Sequence, residues 1–159
     1  MAKRLIVKGK VPQSMSAADF RKMNETGRVP VAPSKVEGKI VFHVEPMGKP
    51  RMTQQDKWKK RKVTDRYWAF KDALNARADE LGYVPGDILS IRFYIRIPKS
   101  WSKKRALEAE GKPHQSKPDL DNLIKAFKDS LLKEDSHVYE YHFMGKYWSK
   151  EPRIEVIAQ

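Results

Sequence analysis

The chain contains no cysteine among its 159 residues, and this absence excludes several kinds of chemistry. Without a thiol there is no disulfide framework, no thiolate nucleophile and no cysteine-ligated zinc site. Its four histidines are scattered and show no HxxxH pairing, so a histidine-bound zinc is not indicated either. For metal binding this leaves oxygen ligands, chiefly carboxylates.

Long apolar segments are also missing. The opening stretch MAKRLIVKGKVPQ is charged but has no apolar run of signal-peptide length. No segment combines a Lys/Arg face with the broad apolar face that a membrane-surface helix requires. We therefore expect a soluble, cytoplasmic protein with no membrane partner.

Acidic residues are few relative to basic ones. The 20 Asp and Glu residues stand against 33 Lys and Arg residues, which gives a formal net charge of +13. Such an excess indicates a polyanionic partner, and nucleic acid is the first candidate. We assign DNA-phosphate contacts to the basic residues of the KPR turn, of the KWKKRK run and beside the acidic motif described below: Lys49, Arg51, Lys57, Lys59, Lys60, Arg61, Lys62, Lys112 and Lys117. Trp58 within the run can either stack on an unpaired DNA base or pack against the sheet.

The chain divides into an arm and a body. Residues 1–37 include the proline-containing linker TGRVPVAPSK, whereas residues 38–159 carry the regular patterns of one domain. Apolar alternation predicts strands at 39–45, 88–97, 137–148 and 153–158, and helical spacing predicts helices at 64–81, 103–110 and 120–132. Because strands and helices do not alternate strictly, we predict an α+β domain with a mixed sheet and helices packed on it.

Two aspartates stand two residues apart in the segment KPDLDNLIKAFKDSLLKEDSHV, which begins at Lys117. Inside a helix, residues two apart point about 200° away from each other and could not bind the same ligand. Pro118 changes this arrangement, because it leaves Asp119 at the N-cap while Asp121 lies in the first helical turn. The two carboxylates can then converge on one ligand.

Structural roles compete with metal binding at these positions. In one alternative, Asp119 caps the helix and has no other role. Asp121, Lys125 and Asp129 then form ordinary i,i+4 ion pairs worth about 0.2–0.5 kcal/mol each. On the other side, carboxylates without His or Cys suit magnesium. A nearby lysine suits phosphodiester hydrolysis, because negative charge grows on the phosphoryl oxygens in the transition state.

The segment KPDLDNLIKAFKDSL followed by EDSHV resembles the signature of the RusA family of Holliday-junction resolvases, commonly encoded by phages and prophages. The GKPRMT turn and the KYWSKEPRIEV ending are also similar to family members, so the resemblance covers about residues 39–159. It implies a RusA-like nuclease domain that cuts four-way DNA junctions as a homodimer, in a bacterial or phage-infected cell. Mg²⁺ is the implied metal, with Mn²⁺ as a substitute. By this resemblance Asp119, Asp121 and Asp135 match the family's metal-binding catalytic aspartates, and Lys125 matches its catalytic lysine.

The chain departs from the family pattern near its third acid. Glu134 precedes Asp135 where many relatives carry two aspartates before the serine, and the stretch from Asp129 to Asp135 is shorter than in some members. Either Glu134 or Asp135 is therefore a candidate third ligand.

Two other functions stay open from the sequence. One is a non-catalytic protein that binds junctions or other DNA as an accessory, and the other is a metal nuclease acting on flaps, nicks or ordinary duplex. The catalytic motif does not separate these substrates, because discrimination among DNA shapes depends on dimer geometry.

Overall fold

The computed structural model describes residues 38–59 and 61–158, apart from the side chains of Lys57 and Ala158. The predicted arm, residues 1–37, lies outside the described residues. The strands are β1 Gly38–Phe42, β2 Ile88–Arg96, β3 Glu140–Ser149 and β4 Arg153–Ala158. The α-helices are α1 Lys62–Leu81, α2 Lys103–Ala109 and α3 Leu120–Leu131, and a short 3-10 helix spans Gln54–Lys57. Every strand and helix predicted for the body is confirmed, whereas the 3-10 helix was not predicted.

The four strands form one mixed sheet in the order β1-β4-β2-β3. Strand β4 pairs antiparallel with both β1 and β2, and β3 runs parallel to β2. Parallel neighbours need a crossover connection, and α2 and α3 lie in the chain between β2 and β3. The predicted α+β architecture with a mixed sheet is therefore confirmed.

Helices α1 and α3 cover one face of this sheet and form the core with it. Their apolar residues recur three and four positions apart, so each helix presents one buried stripe. Phe127 of α3 meets Phe42 of β1 edge to face, with ring centroids 5.9 Å apart. The buried apolar core comprises Ile40, Phe42, Tyr67, Phe70, Leu74, Ala78, Ile91, Phe93, Leu123, Ile124, Ala126, Phe127, Ile154 and Val156. This packing fixes α3, which carries the acidic motif, against the sheet.

Helix α1 ends where the sequence indicates. Gly82 adopts the left-handed conformation, with φ 63°, and its N–H donates to the carbonyls of Ala78 and Asp79. Glycine tolerates this conformation without the Cβ clash of other residues, which is why it terminates the helix. None of the helices in the described part of the chain has both the length and the apolar character that crossing a membrane requires.

Candidate metal site at the start of helix α3

The N-terminus of α3 presents two exposed carboxylates. Asp119 occupies the N-cap in extended geometry, with φ −70° and ψ 148°, and Asp121 lies in the first turn. The predicted placement of both residues is confirmed. The Asp119 side chain makes no capping hydrogen bond, although an N-cap carboxylate usually accepts one from the helix backbone. The structure therefore does not support the alternative in which Asp119 serves only as a cap.

Lys125 follows Asp121 by one turn on the same face of α3 and is exposed. Among the ion pairs of the described residues, none joins Lys125 to Asp121 or Asp129. Asp129 is bound instead by Lys49 from the turn after β1, with Nζ 2.5 Å from Oδ2. This hydrogen bond raises the pKa of Lys49. The alternative of an ordinary i,i+4 ladder is therefore wrong, and Lys125, one turn after Asp121, has no ion pair among the described residues.

The GKPR turn lies directly against α3. A Cβ atom added at Gly48 would run into the amide of Asn122 and would come within 3.5 Å of Pro118 Cβ. The residue after this glycine, Lys49, reaches along the helix to Asp129. The absence of a side chain at Gly48 thus lets the turn approach the beginning of the acidic helix.

Strand β3 holds the segment that leads into Asp119. Lys146 Nζ donates to the carbonyl oxygens of Ser116, at 2.5 Å, and Pro118, at 2.7 Å. Since Pro118 directly precedes the N-cap residue, Lys146 helps to fix where Asp119 begins the helix. Lys146 was not among the predicted site residues, because a lysine at one position of a strand carries no signal of a distant backbone partner.

His114 is buried in the same region, where its ring packs on Trp148 with centroids 4.1 Å apart. Its Nδ1 has no hydrogen-bond partner among the described residues, and Nε2 lies 3.5 Å from Ser116 Oγ. Burial, followed by the charge of Lys146, lowers the pKa of His114. The neutral imidazole is thus the form that fits this fold.

Acidification should destabilise the protein through His114. The pKa of His114 in the folded state lies below the ordinary value of 6.5. As the pH falls below 6.5, the unfolded state therefore binds more protons than the folded state does. The stability that the protein has above pH 6.5 is then lost progressively. We expect the melting temperature to fall more between pH 7.5 and 5.5 in the wild type than in His114→Gln. Parallel melting curves across this range would contradict the assignment.

Asp135 does not join the other two aspartates in this structure. Its carboxylate pairs with Lys128 at 2.7 Å, which lowers the pKa of Asp135 and raises that of Lys128. Lys128 follows Asp121 by seven residues, about 10 Å along the helix axis. The other candidate, Glu134, accepts a hydrogen bond from Ser136 N at 3.1 Å.

The residues described by the structure include no group of three or more Asp, Glu or His side chains able to hold a metal ion. The predicted three-carboxylate site is thus not formed here, because the connection after α3 is held near the other end of that helix. The third ligand stays a prediction.

Asp119 and Asp121 nevertheless fit a magnesium ion in kind and number. Magnesium is usually held by one or two carboxylates, with water and substrate phosphate oxygens completing its octahedron. Both side chains are exposed, and neither appears in an ion pair of the described residues. This pair can therefore bind magnesium without first breaking an internal salt bridge.

The predicted DNA-contact residues fall into three groups. Five of them are exposed and have no ion pair among the described residues: Arg51, Lys59, Lys62, Lys112 and Lys117. Two have acidic partners within the protein, since Lys49 binds Asp129 and Arg61 binds Asp56. The side chains of Lys57 and Lys60 lie outside the described residues. The assignments to DNA phosphates stay predictions, and those for Lys49 and Arg61 now compete with an observed ion pair.

A small mixed-sheet domain with free carboxylates and a lysine at one helix, and exposed basic residues nearby, has the features of a metal-dependent nuclease. The family profile described as Endodeoxyribonuclease RusA matches residues 42–158, and the chain belongs to this family.

The chain is also similar to a curated protein over part of its length. The chain is 38% identical over 80 residues to the uncharacterized protein YqaN of Bacillus subtilis (strain 168). The match covers 45% of this chain and 55% of that protein, so it spans about half the length of this curated relative. No solved structure was found to match.

Proposed function

We propose that this protein is a magnesium-dependent endonuclease that resolves four-way DNA junctions by hydrolysing phosphodiester bonds. The observation that carries the proposal is the pair of exposed, unpaired carboxylates of Asp119 and Asp121, with the free ammonium group of Lys125 one turn away. Membership of the RusA endodeoxyribonuclease family and the net charge of +13 support it. We place the activity in the cytoplasm of a bacterial or phage-infected cell.

The residues of the site have distinct roles in this reaction. Asp119 and Asp121 provide the negatively charged oxygen ligands, and bound Mg²⁺, or Mn²⁺ in its place, supplies Lewis-acid activation of the phosphodiester. Lys125 places its positive charge where the phosphoryl oxygens gain negative charge in the transition state. Lys146 keeps the backbone before Asp119 in position. Asp135, which pairs with Lys128 in this structure, would serve as a third ligand if that ion pair opened.

A homodimer is part of this proposal. A four-way junction offers two symmetry-related strands for incision, and a two-fold dimer places two identical sites to match them. The proposal therefore predicts paired nicks at symmetric positions on opposite strands.

The test uses a fixed synthetic four-way junction and a linear duplex of matching sequence, each incubated with magnesium or with chelator. We expect nicking of the junction alone and only with magnesium. Cutting of the duplex at the same rate would indicate a nuclease for other DNA. Binding without cutting in any lane would indicate the accessory protein instead and would overturn the proposed activity.

DNA binding should depend strongly on salt. If each functional unit neutralises five phosphates, the apparent affinity falls about 500-fold between 50 and 200 mM salt, because each contact releases condensed counterions. A gel-shift titration in chelator, which prevents cutting, measures this slope. A nearly flat titration would show that phosphate contacts do not dominate binding.

A further inference from the structure

The loop between the GKPR turn and α1 closes on itself through one acidic residue. The Asp56 carboxylate accepts hydrogen bonds from Thr53 N at 2.6 Å and from Arg61 Nη2 at 2.6 Å, and it also accepts one from Arg61 Nε. Arg61 Nη2 donates to the Arg51 carbonyl as well, at 2.9 Å. The bond to Arg61, followed by that from Thr53, lowers the pKa of Asp56 to about 2. Arg51 and Arg61 are thus joined at the two ends of a segment that the structure describes at residues 51–59 and 61, and which we call the clamped loop.

Trp58 is a highly exposed residue of the clamped loop. It directly follows the 3-10 helix Gln54–Lys57, and its backbone N–H donates to the Gln55 carbonyl at 3.0 Å. Its side chain is 88% exposed, the highest value among the large exposed apolar residues of the described chain, ahead of Tyr139 at 72%. The alternative in which Trp58 packs against the sheet is therefore wrong.

The surroundings of this indole indicate what it contacts. A single exposed apolar residue is ordinary on a protein surface, but Trp58 is held on a closed loop whose exposed charged residues in the described chain, Arg51, Lys59 and Arg61, are all basic. The other exposed residues of the loop are uncharged, and the exposed Lys62 follows directly after it. Those charges favour a polyanion over an apolar protein partner. A flat aromatic ring among cations is the arrangement that binds nucleic acid by stacking on bases.

Duplex geometry limits where such stacking can occur. Bases inside a duplex are stacked on both faces, so an indole finds a free base face only where stacking is interrupted, as at a branch point. The clamped loop also starts near the acidic site. Gly48 lies against Asn122 of α3, and Arg51 comes three residues later, so it is at most about 11 Å from Gly48.

We propose that Trp58 stacks on an unstacked base at the branch point of the DNA and thereby favours branched DNA over duplex. The inference rests on the proposed function for its DNA ligand. In this arrangement Arg61 is a positioning residue, since its guanidinium holds the loop through Asp56 and the Arg51 carbonyl.

Binding is measured in chelator on a four-way junction and on its matching duplex. We expect Trp58→Ala to weaken junction binding roughly 5- to 150-fold, the range for losing one base–aromatic stack, while duplex binding changes less than about twofold. Trp58→Phe should recover most of the loss, because it restores an aromatic face. Tyr139→Ala, which removes another exposed aromatic ring, should bind both DNAs as the wild type does.

A second measurement needs no substitution. A fluorescent base analogue such as 2-aminopurine, placed at the branch point, should be quenched by wild-type protein but not by Trp58→Ala, and an analogue in the middle of an arm should not respond. Equal losses on junction and duplex, or unchanged junction binding by Trp58→Ala, would overturn the stacking role. In either case, cleavage of the junction by the wild type would still support the proposed nuclease activity. Binding that depends on Trp58 without any cleavage would refute the nuclease activity but support the stacking site.

Discussion

Asp119→Asn is expected to lower magnesium-dependent junction cleavage by orders of magnitude while the protein stays folded. Asn is about as good an N-cap residue as Asp, and the Asp119 side chain makes no capping bond that could be lost. The change in folding stability is limited to the charge–dipole interaction, about 0.3 to 1 kcal/mol. An amide oxygen carries no net charge, however, and one of the two carboxylates available to magnesium disappears.

Junction binding should survive the same substitution. Asp119 places a negative charge where the DNA phosphates approach, so its removal leaves binding in chelator unchanged or slightly tighter. Loss of cleavage with retained binding and an unchanged melting curve would assign Asp119 to the chemical step.

The comparison uses wild type, Asp119→Asn and Asp72→Asn, prepared side by side. Asp72 is an exposed carboxylate of α1, so its substitution controls for the loss of one negative charge elsewhere on the surface. Cleavage by Asp119→Asn at the wild-type rate would return the residue to a structural role. If that variant also loses its melting transition, Asp121→Asn repeats the test, because Asp121 is the second residue of the helix and does not occupy the cap.

Local patterns were sufficient to predict the elements of this fold. The alternation in β2, the apolar stripe of α1 and the stop at Gly82 each depend on neighbours within a few residues, and all three are present. The positions of Asp119 and Asp121 are also predictable from local sequence, because the helix starts directly after a proline.

Long-range contacts were not predictable from the same patterns. The pair Lys49 and Asp129 joins residues 80 positions apart, and neither position differs in sequence from that of a solvated charge. The ion pair that Lys128 makes with Asp135 after the end of α3 is likewise not marked in the sequence. A shared motif predicts that a third acid follows the helix, but only the folded connection determines whether that acid reaches the first two.

The same distinction between local and long-range contacts applies to the two alternatives to a metal site. Both the cap and the i,i+4 ladder are local interactions that the sequence permits. The structure uses neither, since Asp119 accepts no capping bond and Asp129 pairs with a distant lysine. Three charged groups at the beginning of α3 are thus left available for a ligand: Asp119, Asp121 and Lys125.

Lys125→Ala should slow cleavage about 100- to 1,000-fold with little change in junction affinity. A positive charge directed at developing negative charge stabilises the transition state more than the ground state, and removal of one such group typically costs that factor in kcat. Lys125 has no ion pair with either neighbouring aspartate on α3, so its removal exposes no buried partner and should leave the melting temperature nearly unchanged.

Single-turnover cleavage and gel-shift binding, measured on wild type, Lys125→Ala and Lys133→Ala, test this role. Lys133 is an exposed lysine just after α3, and its substitution removes the same charge away from the carboxylate pair. A transition-state contact predicts a lower cleavage rate with unchanged affinity for Lys125→Ala alone. If affinity and cleavage fall together by one factor, and the salt slope also decreases by about one, Lys125 is an ordinary phosphate contact and the proposed role is wrong.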